Sequence, residues 1–317
     1  VNLYMDAKFP NALSGLIPVN KPVGMTSKDV SRLIVKRFGR LKLGHVGTLD
    51  PDADGVLPLL LGRATKLQDY LLKMTKAYSF EFKLGTATDT LDASGKVVLE
   101  LPWEHVSPTM IKAATSKFHG VIMQIPPMFS AVKYKGKELY KYARNGSCPD
   151  DLNLTDLSRE VEIKRLTIDS VDLPFIQMSV ECSKGTYVRT LALDIAEKLG
   201  TTAHVTKLTR LQSAGFAIGD CATIEQLSRD TTTLEDVLIP LDQLAIGLPA
   251  WRPDDMVLHK RLVDGQSVIG EIAELGLPPL ATNDDVLLKS IDGSSTGIIS
   301  TVFLDNGQIK LHLKRGL

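Results

Sequence analysis

The run Tyr78-Ser79-Phe80-Glu81-Phe82-Lys83-Leu84 alternates apolar or aromatic with polar side chains, and Ile176, Met178, Val180 and Cys182 repeat the pattern further along. Successive side chains of a strand point to opposite faces, so each run describes a strand with one face against a core. Around these runs the spacing turns helical. Thr26-Ser27-Lys28-Asp29 reads as a cap with a carboxylate in the first turn, Val30, Leu33, Ile34 and Phe38 recur at helical spacing, and Gly39 ends the run. Ser107 caps a helix predicted over 108–118 and closed by Gly120. A further helix over 186–199 carries Val188, Leu191, Ala192, Ile195 and Leu199, with Gly200 just past its end. Strands and helices so mixed predict an α+β fold with a mixed, largely antiparallel sheet.

The texture changes near Ile246-Gly247-Leu248-Pro249, which divides the chain into 1–248 and 249–317. Beyond it lie a helix over 255–263 and short strands predicted over 286–291, 297–304 and 308–313. Asp305-Asn306-Gly307 stands between the last two, a hairpin signal. This pattern predicts a small β-barrel module.

Composition narrows the function classes. Of 317 residues, 44% are hydrophobic and 23% charged, which excludes global disorder. No apolar run approaches the roughly 18 residues that a membrane span needs. Val1 to Asp6 combine neither a basic region nor an apolar core, so no secretory signal is expected. Cys148, Cys182 and Cys221 are too few and too scattered for a disulfide framework, and no histidine pair has metal-ligand spacing. A cytoplasmic protein without a metal is expected.

The 37 basic and 37 acidic side chains cancel, but the balance is local: residues 1–80 hold 12 Lys/Arg against 6 Asp/Glu. The segment AVKYKGKELYKYARNG, 131–146, sets Lys133, Lys135, Lys137, Lys141 and Arg144 against Glu138 alone, among Tyr134, Tyr140 and Tyr142. Cations that attract phosphates beside aromatic faces that stack on bases suit single-stranded RNA. A solvated basic helix with Leu139, Tyr142 and Ala143 turned inward explains the same residues.

Gly44-His45-Val46-Gly47-Thr48-Leu49-Asp50-Pro51-Asp52-Ala53-Asp54-Gly55 is the segment richest in chemistry. Its glycines let backbone approach a ligand, and Pro51 biases Asp50 towards an extended conformation. A carboxylate so held can be a nucleophile, a base or a metal ligand; an Asx turn is the plain alternative. Calcium by the EF-hand route fails, because the ninth position is Pro58 and the twelfth Leu61 rather than Glu. In Cys182-Ser183-Lys184-Gly185-Thr186-Tyr187-Val188-Arg189, Thr186 is the expected helix cap, which puts Arg189 in the first turn. A cation there opposes the helix dipole unless an anion accompanies it. Asp50 and Arg189 are therefore a candidate pair.

At these residues the sequence resembles the tRNA pseudouridine synthases of the TruB type. GHVGTLDPDADGVL is similar to the catalytic-loop signature, Val19-Asn20-Lys21-Pro22-Val23-Gly24-Met25-Thr26-Ser27 to the N-terminal motif, and Lys76-Ala77-Tyr78 to the tyrosine motif. CSKGTYVR, 182–189, is similar to the arginine motif, and Gln124 to Gly146 resembles an RNA-gripping insertion, placed at about 124–152. The last module resembles the PUA barrel. The resemblance implies isomerisation of a T-loop uridine, position 55 of the tRNA, by base flipping and without a cofactor. It implies Asp50 as the essential carboxylate and Arg189 as its partner. It places Tyr78 against the uracil, His45 on the opened T loop, Lys21 in support, and Tyr187 and Leu208 in the base pocket. The expected partner is the T stem-loop of tRNA, bound by a monomer with no obligate protein partner. The rival class is a non-catalytic RNA-binding or tRNA-folding protein.

Two positions and one module depart from the family pattern. Asp54 replaces a small hydroxyl residue and is expected to push the pKa of Asp50 upward. Phe129 replaces a frequent Tyr. From Trp251 onward the chain holds 7 basic against 9 acidic residues, an unusual balance for an RNA-binding module.

Overall fold

Lys76–Leu84, the alternating run, lies inside an eleven-stranded mixed sheet of the computed structural model, which describes residues 14–39, 42–146, 152–280 and 284–317. The main path runs Ala222–Thr223, Gly15–Lys21, Asp54–Leu61, Ala203–Ser213, Lys76–Leu84, Phe175–Cys182, Arg159–Asp172, Gly120–Gln124. Most neighbours on it are antiparallel. Two pairs are parallel, Gly15–Lys21 with Ala222–Thr223 and Asp54–Leu61 with Ala203–Ser213.

The alternation at 78–84 is repaid in burial. Tyr78, Phe80, Phe82 and Leu84 pack with Met178, Val180 and Cys182 and with Val188, Leu191, Ala192 and Ile195 of the helix Val188–Lys198. Asp54–Leu61 is buried along its whole length after Asp54, which is why its sequence is a continuous apolar run. Pro58 of that strand stands in register with Pro18. Neither has an N–H, so the pairing leaves no donor stranded.

The helix Ser27–Phe38 starts as expected. Thr26 Oγ1 accepts from the Asp29 amide at 3.1 Å and Asp29 accepts from the Thr26 amide at 3.0 Å, a reciprocal cap. Two predicted boundaries move. The helix after Ser107 spans Pro108–Thr115; the chain tightens through Lys117→Ala114 and Phe118→Thr115 backbone bonds, and Gly120, at φ +78°, opens a strand instead of closing the helix. The cap before Arg189 is Tyr187, because the Thr186 hydroxyl donates backwards to the Ser183 carbonyl at 3.0 Å.

The insertion forms a short hairpin, Lys133–Tyr134 with Lys137–Glu138, followed by the helix Leu139–Arg144 with Leu139 fully buried. Its end at 147–151, with Cys148, lies outside the described residues. After Pro249 a separate five-stranded sheet, in the order Ala250–Trp251, Asp285–Lys289, Ser295–Phe303, Ile309–Gly316, Val268–Gly270, closes over Trp251, Leu262, Val286, Leu288, Ile299 and Leu311. Gly307 turns the last hairpin at φ +82°, as the Asn-Gly pair predicts. This sheet docks on the helical segment 62–73 that follows the strand Asp54–Leu61, through Arg315 to Asp69 at 2.6 Å, Tyr70 to Asp285 at 2.7 Å and Arg63 to the Leu317 carbonyl at 2.8 Å. Among the described residues, no helix is long and apolar enough to cross a membrane.

Candidate active site

Asp50 leads into a tight turn between the short strand Leu43–His45 and the strand Asp54–Leu61. The turn is closed by the Ala53 amide on the Asp50 carbonyl at 3.2 Å. Its flanks are clamped. Ser27, at the first position of its helix, accepts from the Leu49 amide at 3.0 Å and donates to the Leu49 carbonyl at 3.2 Å. On the other side, the fully buried Lys21 ammonium donates to the carbonyls of Pro22, Met25 and Pro51 at 2.9, 2.7 and 3.2 Å. The lysine that ends the strand Gly15–Lys21 thus becomes the peg of the Asp50 loop.

The candidate pair is formed. Arg189 Nη2 lies 3.0 Å from Asp50 Oδ2. The same guanidinium donates to the Phe129 carbonyl of the insertion at 2.9 Å and to the Thr90 carbonyl at 2.5 Å, and its Nη1 lies 3.3 Å from Asp92 Oδ2. Asp92 is itself fixed, since its other oxygen accepts from the Thr90 and Ser94 hydroxyls at 2.7 and 2.6 Å. Three separate segments meet on one arginine whose side chain is 6% exposed.

Asp50, Asp92 and Arg189 line a small crevice with Asp52, Val205 and Leu208. Asp50 keeps 41% of its side-chain surface open. The protein packed behind it still pushes its pKa above the ordinary carboxylate value; Arg189 opposes the rise, Asp92 and Asp52 add to it, and Lys21 lowers it. Arg189 therefore moderates the rise without cancelling it. The neighbouring anions that act are Asp92 and Asp52, whereas Asp54 acts first on Lys21, whose own burial draws its pKa down to about 8.

The remaining predicted residues surround this centre at different depths. Leu208 lies on the crevice wall. Tyr78 is off that wall and 8% exposed, and burial raises the pKa of its phenol. His45 Nε2 pairs with Thr48 Oγ1 at 3.0 Å across the glycine loop, and burial, with Arg210 nearby, lowers the pKa of its imidazole. Tyr187 is also off the wall. Gln124, 1% exposed, accepts from its amide at 2.9 Å and donates to its carbonyl at 3.1 Å, while the Arg159 guanidinium stacks on its ring at 5.0 Å.

Sequence reasoning missed Arg210. It is 1% exposed, donates through Nε to the Val56 carbonyl at 2.7 Å and through Nη2 to the Gly47 carbonyl at 2.9 Å, and stands beside Tyr78 in the sheet register. One buried cation thereby ties both shoulders of the Asp50 loop to the Tyr78 strand. Its neighbours in Lys207-Leu208-Thr209-Arg210-Leu211-Gln212 alternate without a marked face, so nothing in the sequence signals that this arginine is buried. Asp92, in Thr-Asp-Thr-Leu-Asp, had no signal beyond turn composition.

A buried guanidinium holding a partly exposed carboxylate at a crevice, on this mixed sheet, is a site built for acid–base or covalent chemistry. The fold has clear relatives. The crystal structure of a Cbf5-Nop10-Gar1 complex aligns with a TM-score of 0.71 at 22% identity, covering 95% of this chain and 84% of that one. An archaeal box H/ACA sRNP Nop10-Cbf5 complex gives 0.68 at 21%, covering 98% and 88%. In sequence, a family model described as TruB family pseudouridylate synthase (N terminal domain) matches residues 35–188. Another, described as tRNA pseudouridylate synthase B C-terminal domain, matches 189–245. The chain is 38% identical over 288 residues to tRNA pseudouridine synthase B of Geobacter sulfurreducens, across 90% of this chain and 87% of that protein. To the protein of the same name from Staphylococcus aureus (strain bovine RF122 / ET3-1) it is 40% identical over 262 residues, 80% and 84% of the two chains. Fold and family together define a pseudouridine synthase, an isomerase. The chain belongs to the TruB family. The five-stranded sheet after Pro249 lies beyond both family matches.

Proposed function

We propose that this enzyme isomerises one uridine of the tRNA T loop, position 55 of the tRNA, to pseudouridine, with Asp50 as its essential carboxylate and without a cofactor. The observation that carries this reading is the 3.0 Å pair of Arg189 and Asp50 at the mouth of a crevice reached by the RNA-gripping insertion through Phe129. The N1–C1′ glycosidic bond breaks, the uracil turns, C5 joins C1′, and the C5 proton is lost while N1 gains one. Atoms and charge balance within the nucleotide, so the protein supplies positioning, a nucleophilic or basic carboxylate, and electrostatic control.

The target leaves its stack at a cost of a few kcal/mol before it meets the crevice. Leu208 borders the base on the crevice wall, Tyr78 and Tyr187, set back from that wall, meet the uracil as it enters, His45 holds the opened loop and Lys21 fixes the Asp50 turn through Pro51. The insertion, about 124–152, grips the T stem-loop through its lysines and tyrosines, several already in cation–π contact, such as Lys137 over Tyr142 at 4.2 Å. Residues 1–248 form the catalytic domain and 249–317 a PUA-like RNA-binding domain of a cytoplasmic monomer. Treating an unmodified tRNA transcript with the enzyme and mapping pseudouridine by carbodiimide-dependent primer-extension stops tests the position. A single stop at the T-loop uridine is expected; stops elsewhere, with none there, contradict the reading.

A further inference from the structure

Between the first sheet and the C-terminal one lies a cleft of about 700 Å³. Arg159, Lys184, Lys73 and Tyr70 line it from the first domain, and Lys314 and Arg315 come from the C-terminal strand. Two of these cations are already neutralised, Arg315 by Asp69 and Lys314 by Asp285, each at 2.6 Å. Arg159 is different. Its guanidinium stacks on Tyr187 at 5.0 Å, yet Nε and Nη2 have no hydrogen-bond partner among the described residues. Hydrogen bonding is the rule for enclosed donors, so an arginine held in place with two nitrogens unmet is a site waiting for an acceptor.

The acceptor's chemistry follows from the lining. Arg159, Lys184 and Lys73 face Glu160 as the one further carboxylate on the wall, so the free balance is positive. Planar guanidinium beside point-like ammonium groups suits an anion with several oxygens, of which phosphate is the best match. Position adds the source. Cleft and crevice share one helix start: Arg189, in its first turn, pairs with Asp50, and Tyr187, its cap, stacks with Arg159. We infer that the interdomain cleft is a second RNA contact, in which Arg159 and Lys184 grip backbone phosphate of the same tRNA whose uridine enters the Asp50 crevice. This rests on the proposed function and adds a binding site to it.

The test is the salt dependence of tRNA binding by the full chain. Each phosphate contact contributes roughly 0.7–0.9 to the slope of log K against log salt. Lys184→Gln should lower that slope by about 0.7–0.9 and Arg159→Gln, Lys184→Gln together by about 1.4–1.8, with Kd for tRNA rising about tenfold or more at physiological salt. Lys184→Gln alone carries the test where the double variant has a lower melting temperature than the wild type. An unchanged slope in either folded variant overturns the site, and so does inorganic phosphate that stabilises the wild type, but not the variants, while their tRNA slopes stay equal. Wild-type conversion of the same tRNA, measured alongside, separates the two claims. Product with unchanged slopes removes the cleft only; no product from tRNA that is bound removes the proposed function.

Discussion

Arg189 holds two carboxylates at once: its Nη2 lies 3.0 Å from Asp50 and its Nη1 3.3 Å from Asp92. One guanidinium shared in this way cannot lower the pKa of Asp50 as a dedicated partner would. Burial sets the direction, upward, and Asp92 reinforces it. Asp92 nevertheless orients the arginine, so the two anions compete electrostatically while cooperating in geometry.

The first prediction concerns pH. Asp50 acts ionised, and a raised pKa moves the acid limb of kcat/KM above that of an ordinary carboxylate. Asp92→Asn removes an upward push, so the limb shifts to lower pH. Lys21→Met removes a downward pull, so it shifts to higher pH. Asp92→Asn also lowers kcat by roughly 10- to 100-fold, the worth of a charged hydrogen bond of about 1.5–3 kcal/mol felt in the transition state. Rate profiles of the two variants that move in the same direction would refute this account of the site's electrostatics.

Arg210 is expected to act on both stability and rate. Arg210→Met leaves the carbonyls of Gly47 and Val56 without their charged donor inside the protein. The loss is about 3 kcal/mol or more, from two hydrogen bonds to a charged group. Denaturant unfolding measures the stability term. Arg210→Lys, which keeps the charge and cannot span both carbonyls, should recover only part of it.

Gly55 closes the Asp50 loop where no other residue fits. It sits at φ +102°, and an added Cβ would stand 2.2 Å from the Arg210 carbonyl oxygen across the strand pair. Gly55→Ala should therefore disturb the Arg210 strand and lower activity, together with stability, by more than the roughly 1 kcal/mol of an ordinary strained glycine. Unaltered melting and turnover would contradict the tight register.

Alkaline pH should stabilise the fold. Lys21 and Lys76 are both drawn by burial to about 8 from an ordinary value near 10.5. Between about pH 8 and 9 these lysines leave the unfolded chain with more bound protons than the folded one, so unfolding free energy rises with pH there; above 9 the thiols of Cys182 and Cys221, pushed up by burial to about 11 and about 12, oppose the rise. Lys21→Met should remove part of that rise in urea titrations at pH 8 and 9. A wild-type protein that loses stability steadily over this range would oppose it.

Much of this was written locally. The strand at 78–84, the capped helix after Thr26 and the Asn306-Gly307 turn depend on neighbours in sequence, and each formed where period and cap residues put it. Asp50 and Arg189 were recognisable because a glycine-rich turn and a helix start each demand an explanation for a charge. Arg210 and Asp92 escaped because their roles depend on strand register and on a distant turn, contacts spanning 154 residues for Arg210 to Val56 and 97 for Arg189 to Asp92. Thr186 misled as a cap because its hydroxyl had a second acceptor, the Ser183 carbonyl, that only the folded turn presents.

The most direct measurement is tritium release from [5-³H]uridine-labelled tRNA transcript by the wild type and by Asp50→Asn, with EDTA present and binding of both measured in parallel. The account predicts release of the T-loop label by wild type, none by the variant, and similar binding by both. Release by Asp50→Asn at the wild-type rate, or binding without release by the wild type, would contradict it.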